Sequence, residues 1–140
     1  MKKITAIAAI LLASLATAGS ASAQDHAAKA KIPFGFYVDN KWVPAGTYTL
    51  TSDTRSPEII AIRNNDASVA LLGVGHASDP QSGTGTLVFT KYGDKYFLHE
   101  IRCAACRMNV AFSDSKREKQ ARTEEASAGT PSTVYLALNK

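Results

Sequence analysis

Short runs of alternating apolar and polar residues, cut by turn residues every few positions, constrain this chain more than any other feature. Ile32, Phe34, Phe36 and Val38 fall on one side of a period-two pattern, with Pro33, Gly35 and Tyr37 on the other. The segment Thr47-Tyr48-Thr49-Leu50-Thr51 alternates in the same way. Period two is the strand period, because successive side chains of an extended backbone point to opposite faces. Similar runs predict strands over 58–63, 69–74, 86–92, 95–102 and 133–138. Asp39-Asn40, Pro44-Ala45-Gly46 and Gly93-Asp94 punctuate them as turns, Gly93 supplying the positive φ that a tight hairpin needs. The run 69–74 is more continuously apolar and reads as a strand covered on both faces, with Gly73 and Gly75 marking a bulge or bend. In the hairpin, Leu87 and Phe89 of one arm and Phe97 and Ile101 of the other are expected to meet in the core.

One segment breaks the pattern. Residues 114–127 contain neither Gly nor Pro and open with Ser115 and Glu118 at capping-box spacing, which predicts a helix. It has no apolar stripe, and its basic residues come before its acidic ones, against the helix dipole. It reads as a solvated polar helix or a partly ordered loop. Seven or eight short strands followed by one late polar helix predict an all-β, mainly antiparallel fold, a small barrel or sandwich in one domain spanning 32–140.

The chain start sets the compartment. Met1-Lys2-Lys3 is followed by an apolar run over 4–18 and by Ala21-Ser22-Ala23 ahead of Gln24, the three-part layout of a cleaved secretory signal over 1–23. The apolar run is short for a bilayer span, and no second run of about 18 apolar residues follows it. The chain is therefore expected in the periplasm or outside the cell, with no transmembrane segment after cleavage. Without Lys2 and Lys3 the formal charge drops from +4 to +2. No basic face stands out, which argues against a nucleic-acid partner. Residues 24–31 are polar and Ala-rich and read as a flexible N-terminal stretch before the fold begins at Ile32. Pro33 marks the first strand as a sheet edge, open to strand exchange or self-association.

Cys103 and Cys106 are the only cysteines and form a C-x-x-C unit. Export favours oxidation, so the leading reading is a small structural disulfide. The alternative is a thiol–disulfide redox protein in which Cys103 attacks as a thiolate. That chemistry calls for a helix N-terminus or positive charge beside the first cysteine, and a strand precedes this one instead. The cysteines lack two further ligands for zinc, and Arg107 in place of histidine excludes c-type haem attachment. No metal, no cofactor and no catalytic residue is read from the sequence. His26 falls in the N-terminal stretch, His99 lies on a strand face, and His76, after Gly73-Val74-Gly75, has the most site-like context. No serine sits in a nucleophile elbow, and Ser82-Gly83-Thr84-Gly85 opens a strand rather than a helix, so it is no phosphate loop.

The aromatics read first as core. Tyr37, Trp42, Tyr92 and Tyr96, with His76, are the candidates for an exposed binding surface, and Trp42 beside its turn is the best anchor. The leading function is accordingly an exported, non-enzymatic β-domain that binds an envelope protein or glycan. Redox exchange through Cys103–Cys106 and carriage of a small apolar ligand inside a barrel are the alternatives.

Three stretches carry a family resemblance: 32–38 (Ile-Pro-Phe-Gly-Phe-Tyr-Val), 43–50 (Val-Pro-Ala-Gly-Thr-Tyr-Thr-Leu) and 92–98 (Tyr-Gly-Asp-Lys-Tyr-Phe-Leu), with a weaker match over 112–122. Together they resemble a family of small exported proteins abundant in acidobacterial genomes, over about residues 32–122. The chain departs from the family pattern at Gly35, where an acidic residue is common, and at the Cys103–Cys106 pair. The resemblance implies an exported domain and brings with it no catalytic residue, cofactor or partner.

Overall fold

Alternating runs become strands wherever both faces have something to do. The structure is a computed structural model, and it describes residues 26–64, 66, 68–79, 85–127 and 129–139. The export signal read over 1–23 and most of the glycine-rich stretch 82–85 lie outside the described residues. In chain order the strands are β1 (Ala27–Ile32), β2 (Phe36–Val38), β3 (Lys41–Val43), β4 (Gly46–Ser52), β5 (Ile59–Asn64) and β6 (Val69–Val74). They continue with β7 (His76–Ala77), β8 (Thr86–Tyr92), β9 (Lys95–Cys103), β10 (Met108–Ala111) and β11 (Ser132–Ala137). One helix, α1 (Lys116–Glu125), lies between β10 and β11. The fold is all-β and mainly antiparallel, as the sequence pattern predicts.

Two sheets result. The first is antiparallel, in the order β1-β4-β5-β6. The second is curled and runs β11-β8-β9-β10-β7, with the β2–β3 hairpin joined to β9 through Tyr37 and Phe97. The chain passes between sheets at tight corners. The run expected as one strand from Ile32 to Val38 is split at 33–35, so β1 and β2 belong to different sheets. Pro44-Ala45 forms the corner between β3 and β4, where the buried Tyr48 hydroxyl donates to the Pro44 carbonyl at 2.6 Å. At Gly75 a Cβ would collide with Val110 and with the Ala111 carbonyl, so only glycine lets β6 turn into β7.

The sheets face each other over one apolar core. Ala28, Ile32, Tyr48, Leu50, Ile60 and Ile62 enter it from the first sheet, and Phe36, Leu87, Phe89, Ile101, Met108 and Val110 from the second. Phe36 stands edge-on to both Tyr48 and Phe89, at ring-centroid distances of 5.6 and 5.4 Å. Burying a side chain of this size contributes about 1.5–3 kcal/mol of hydrophobic stabilisation. The two faces of β1 and β4 show how alternation encodes this: Ala28, Ala30, Ile32, Tyr48 and Leu50 point in, while Lys29, Lys31 and the threonines point out.

Three expectations are corrected. Residues 27–31 are not a loose N-terminal stretch: β1 pairs with β4 from Ala27–Thr51 to Ile32–Gly46, and Lys29 exchanges two backbone hydrogen bonds with Asn139. Ala28 and Ala30 are small apolar residues at strand spacing, and their alternation outweighs the polar composition around them. Strand β6 is not covered on both faces, because Leu72 and Val74 are 60% and 61% exposed. Phe97 and Ile101 do not share the core. The register shifts opposite Val88 and Phe89, which pair with Glu100 and Leu98 and leave His99 as the extra residue. This bulge turns Phe97 away from the main core into a second cluster with Tyr92 and Ala121.

Candidate functional site

The proposed surface residues are scattered by the fold. Tyr37 stacks on Phe97 at 5.0 Å, and the Arg117 guanidinium lies over its ring at 5.1 Å. Tyr92 is buried; its hydroxyl accepts a hydrogen bond from Arg122 Nε at 3.2 Å, and the Arg122 guanidinium also faces its ring. Both tyrosines are thus seats for α1. Tyr96 stacks on Phe34 at 3.8 Å beside the main core, with Lys91 over it. Trp42 is 61% exposed and covers Gly35, where a Cβ would stand 3.0 Å from the indole. His76 is on β7, hydrogen-bonded to the Ser113 hydroxyl at 2.7 Å. The five do not form one exposed patch: Tyr37 faces Trp42 across β2–β3 and meets Tyr92 at Phe97 under α1, while Tyr96 packs beside the main core and His76 lies on β7.

Cys103 and Cys106 are bonded to each other and buried, at 3% and 1% exposure. The bridge spans a single turn of 3-10 helix over Ala104–Cys106, and Arg107 closes it with φ 53°. Burial keeps a thiolate partner away from both sulfurs, which weighs against exchange chemistry.

An uncovered apolar surface lies elsewhere, on the outer face of the first sheet. Ile59 is paired with Val74 and Ala61 with Leu72, so side chains of β5 and β6 make an apolar stripe on the solvent side. Leu72 and Val74 are the most exposed of these. A groove of about 380 Å³ runs along the stripe between Thr51, Ser56, Ile59 and Leu72. A second, of about 400 Å³, continues between Lys41, Arg63, Ala70 and Leu72. Among the described residues β6 pairs only with β5, so one backbone edge of this stripe is open. The sequence points to an edge at Pro33; β1, which runs up to it, is the other end of this sheet and carries one bridge to Asn139. The sequence does not reveal the Ile59, Leu72 and Val74 surface, because a continuous apolar run is the usual mark of a buried strand.

A polar cluster sits under α1. A ring nitrogen of His99 and carboxylate oxygens of Asp114 and Glu118 all lie within 4.8 Å of one another. His99 reaches the helix side of β9 through the bulge. Ser115 caps α1, its hydroxyl accepting from the Glu118 backbone N–H at 3.1 Å, and this start turns Glu118 inward until only 4% of it is exposed. Asp114 is held by Arg122, which bridges it to Tyr92. Burial pushes the Glu118 carboxyl up to about 7; the nearby Asp114 charge adds to this, and Arg122 and the Ser115 backbone N–H oppose it. Glu118 Oε1 and His99 Nδ1 are both buried without a hydrogen-bond partner. The sequence gives one weak trace of this cluster, the four-residue spacing of Asp114 and Glu118; nothing local joins them to His99.

On the next turn of β9, Glu100 pairs with Arg102 at 2.6 Å. Burial raises the Glu100 carboxyl, but the hydrogen bond from Arg102 and its charge hold it below the usual carboxylate value. Among the described residues no helix is long and apolar enough to cross a membrane. No protein-family model matches the chain, nor does any curated protein or any solved structure.

Proposed function

We propose that the protein is an exported, non-enzymatic binding domain of the cell envelope, and that it contacts a protein partner through the outer face of β5 and β6. The observation that carries this reading is the apolar stripe Ile59–Leu72–Val74 beside an open strand edge. Natural sheets blunt such edges with charge, proline or a covering element, because an unpaired row of N–H and C=O groups accepts another strand. Here the flanking outward residues are Ala70, Leu72 and Val74, none of them charged. A strand added to β6 would gain backbone hydrogen bonds from the edge and apolar contact from the stripe. Lys41 and Arg63 in the second groove and Asp53 in the first would fix its direction by charge. The signal pattern over 1–23, the resemblance to small exported proteins and the disulfide support the compartment.

The test is a pair of surface substitutions, Leu72→Lys and Val74→Lys, made together. Cross-linking in the intact envelope, followed by recovery of the tagged chain, should yield a discrete adduct with the natural sequence and none with the double variant. Sedimentation of the purified chain separates self-association from a foreign partner. An adduct pattern unchanged by both lysines would overturn the assignment of this face.

A further inference from the structure

The cluster under α1 has the composition and the unsatisfied atoms of a metal site. Its donors are one imidazole nitrogen and two carboxylates, from His99, Asp114 and Glu118. Buried polar atoms in folded proteins almost always find partners, since leaving one unpaired costs about 1–3 kcal/mol. Two such atoms lack partners here, Glu118 Oε1 and His99 Nδ1, and Glu118 is 96% buried as judged from its 4% exposure. The local cation, Arg122, is committed to Asp114 and Tyr92. The Ser115 backbone N–H and the Arg122 charge act on the Glu118 carboxyl, yet Oε1 itself is left without a hydrogen-bond partner.

We propose that His99, Asp114 and Glu118 form a binding site for one divalent first-row transition ion of the Zn²⁺ class, which fastens the start of α1 to β9. Two carboxylates balance the charge of the ion, and the imidazole sets its class. All-oxygen sites suit Ca²⁺ and Mg²⁺, whereas a nitrogen with carboxylates suits zinc and its neighbours. Ligands bound at about 2.0–2.2 Å stand roughly 3–3.5 Å apart around a tetrahedral ion. The donors lie within 4.8 Å of one another, so closing on an ion requires each to move by only about an ångström. Three protein ligands leave a coordination position for water or for a group on a partner. Arg122 orients Asp114 from behind, as outer residues orient ligands in other metal sites. This site lies under α1 on the second sheet and is independent of the β6 surface.

The test uses the whole chain as recovered after export, stripped with chelator and titrated with ZnCl₂ by calorimetry. The expected result is one ion per chain and a raised melting temperature, with no comparable response to CaCl₂ or MgCl₂. Co²⁺ in place of Zn²⁺ should give visible d–d absorption that Zn²⁺ abolishes. Glu118→Gln keeps shape and removes the ligand charge; it should weaken Zn²⁺ binding at least about tenfold while the apo variant retains its circular dichroism. His76→Ala, a change at an imidazole outside the cluster, should leave binding unaltered. If Glu118→Gln does not fold, Asp114→Asn and the Co²⁺ spectrum of the natural sequence carry the same comparison. Absence of Zn²⁺ binding overturns the proposal. So does binding that survives Glu118→Gln or Asp114→Asn, or that is lost with His76→Ala.

Discussion

The two sheets share a core but treat their outer faces in opposite ways. The second sheet hides Tyr37, Tyr92 and Phe97 beneath α1 while leaving Trp42 on β3 and Tyr135 on β11 exposed, whereas the first leaves the contiguous group Ile59, Leu72 and Val74 in solvent. The cover on the second sheet is itself polar. Helix α1 buries Ala121 and Glu118 and holds on otherwise by arginines over tyrosine rings and by ion pairs such as Lys95–Glu124 at 2.9 Å. Each arginine–tyrosine contact is worth about 0.5–1 kcal/mol at such exposed sites. A helix without an apolar stripe can therefore close a sheet when the sheet supplies the aromatic surface. The β5–β6 part of the first sheet supplies mainly aliphatic side chains, with Arg63 beside them and no aromatic ring, and no described element covers them. The lesson is that what caps a sheet depends on the surface beneath it as much as on the capping element.

Four measurements test this contrast, in descending order of expected effect. Phe97→Ala removes the platform on which Tyr37, Tyr92 and α1 rest. It should cost about 3–5 kcal/mol in chemical denaturation, and hydrogen exchange over 116–125 should accelerate with it. Retained helix protection would mean that α1 does not depend on the aromatic seat.

The second concerns pH. In chelated protein the folded state holds the Glu118 proton more tightly than the unfolded state, with its carboxyl raised from 4.5 to about 7. That contribution is fully present below about pH 4.5 and is lost as pH rises through about 7. The loss has a ceiling of about 3 kcal/mol, and Glu118→Gln should flatten the profile between pH 5 and pH 8. A natural protein as stable at pH 8 as at pH 5, against a flat Gln variant, would show that Glu118 has another counter-charge.

Third, replacing Cys103 and Cys106 together by serine should cost about 2 kcal/mol, since the bridge closes a very short loop and restrains little of the unfolded chain. Differential scanning calorimetry of the double variant checks this, and insulin reduction assayed alongside should show no exchange activity to lose. Fourth and smallest, Leu72→Lys should change stability by no more than about 0.5 kcal/mol, as expected of a surface position. A larger loss would mean that the stripe is packed in solution and that the contrast between the two faces is smaller than described.

Much of the architecture was legible because it is written locally. Tyr48 and Leu50 announce their strand through alternation, Gly93 announces its turn and takes φ 59°, and Ser115 announces the start of α1 by its capping position. The errors have local causes too. Ala28 and Ala30 were discounted because alanine is a weak strand signal, although their spacing was right. The run from Val69 to Val74 is apolar enough to suggest burial on both faces, but neither apolar content nor strand period says whether a second layer exists.

Strand period, the corners at Pro44 and Gly75, the polar helix and the closeness of Cys103 to Cys106 all depend on residues a few positions apart, which is why they can be read along the chain. Long-range packing is what brings His99 to Asp114 and Glu118, makes β6 the end of a sheet, and covers Tyr37, Tyr92 and Phe97 with α1 while Ile59, Leu72 and Val74 stay bare. Those outcomes depend on which strands pair and in what register. Register is a balance of contacts between distant segments, and a shift of one residue exchanges the buried and exposed faces of a whole strand.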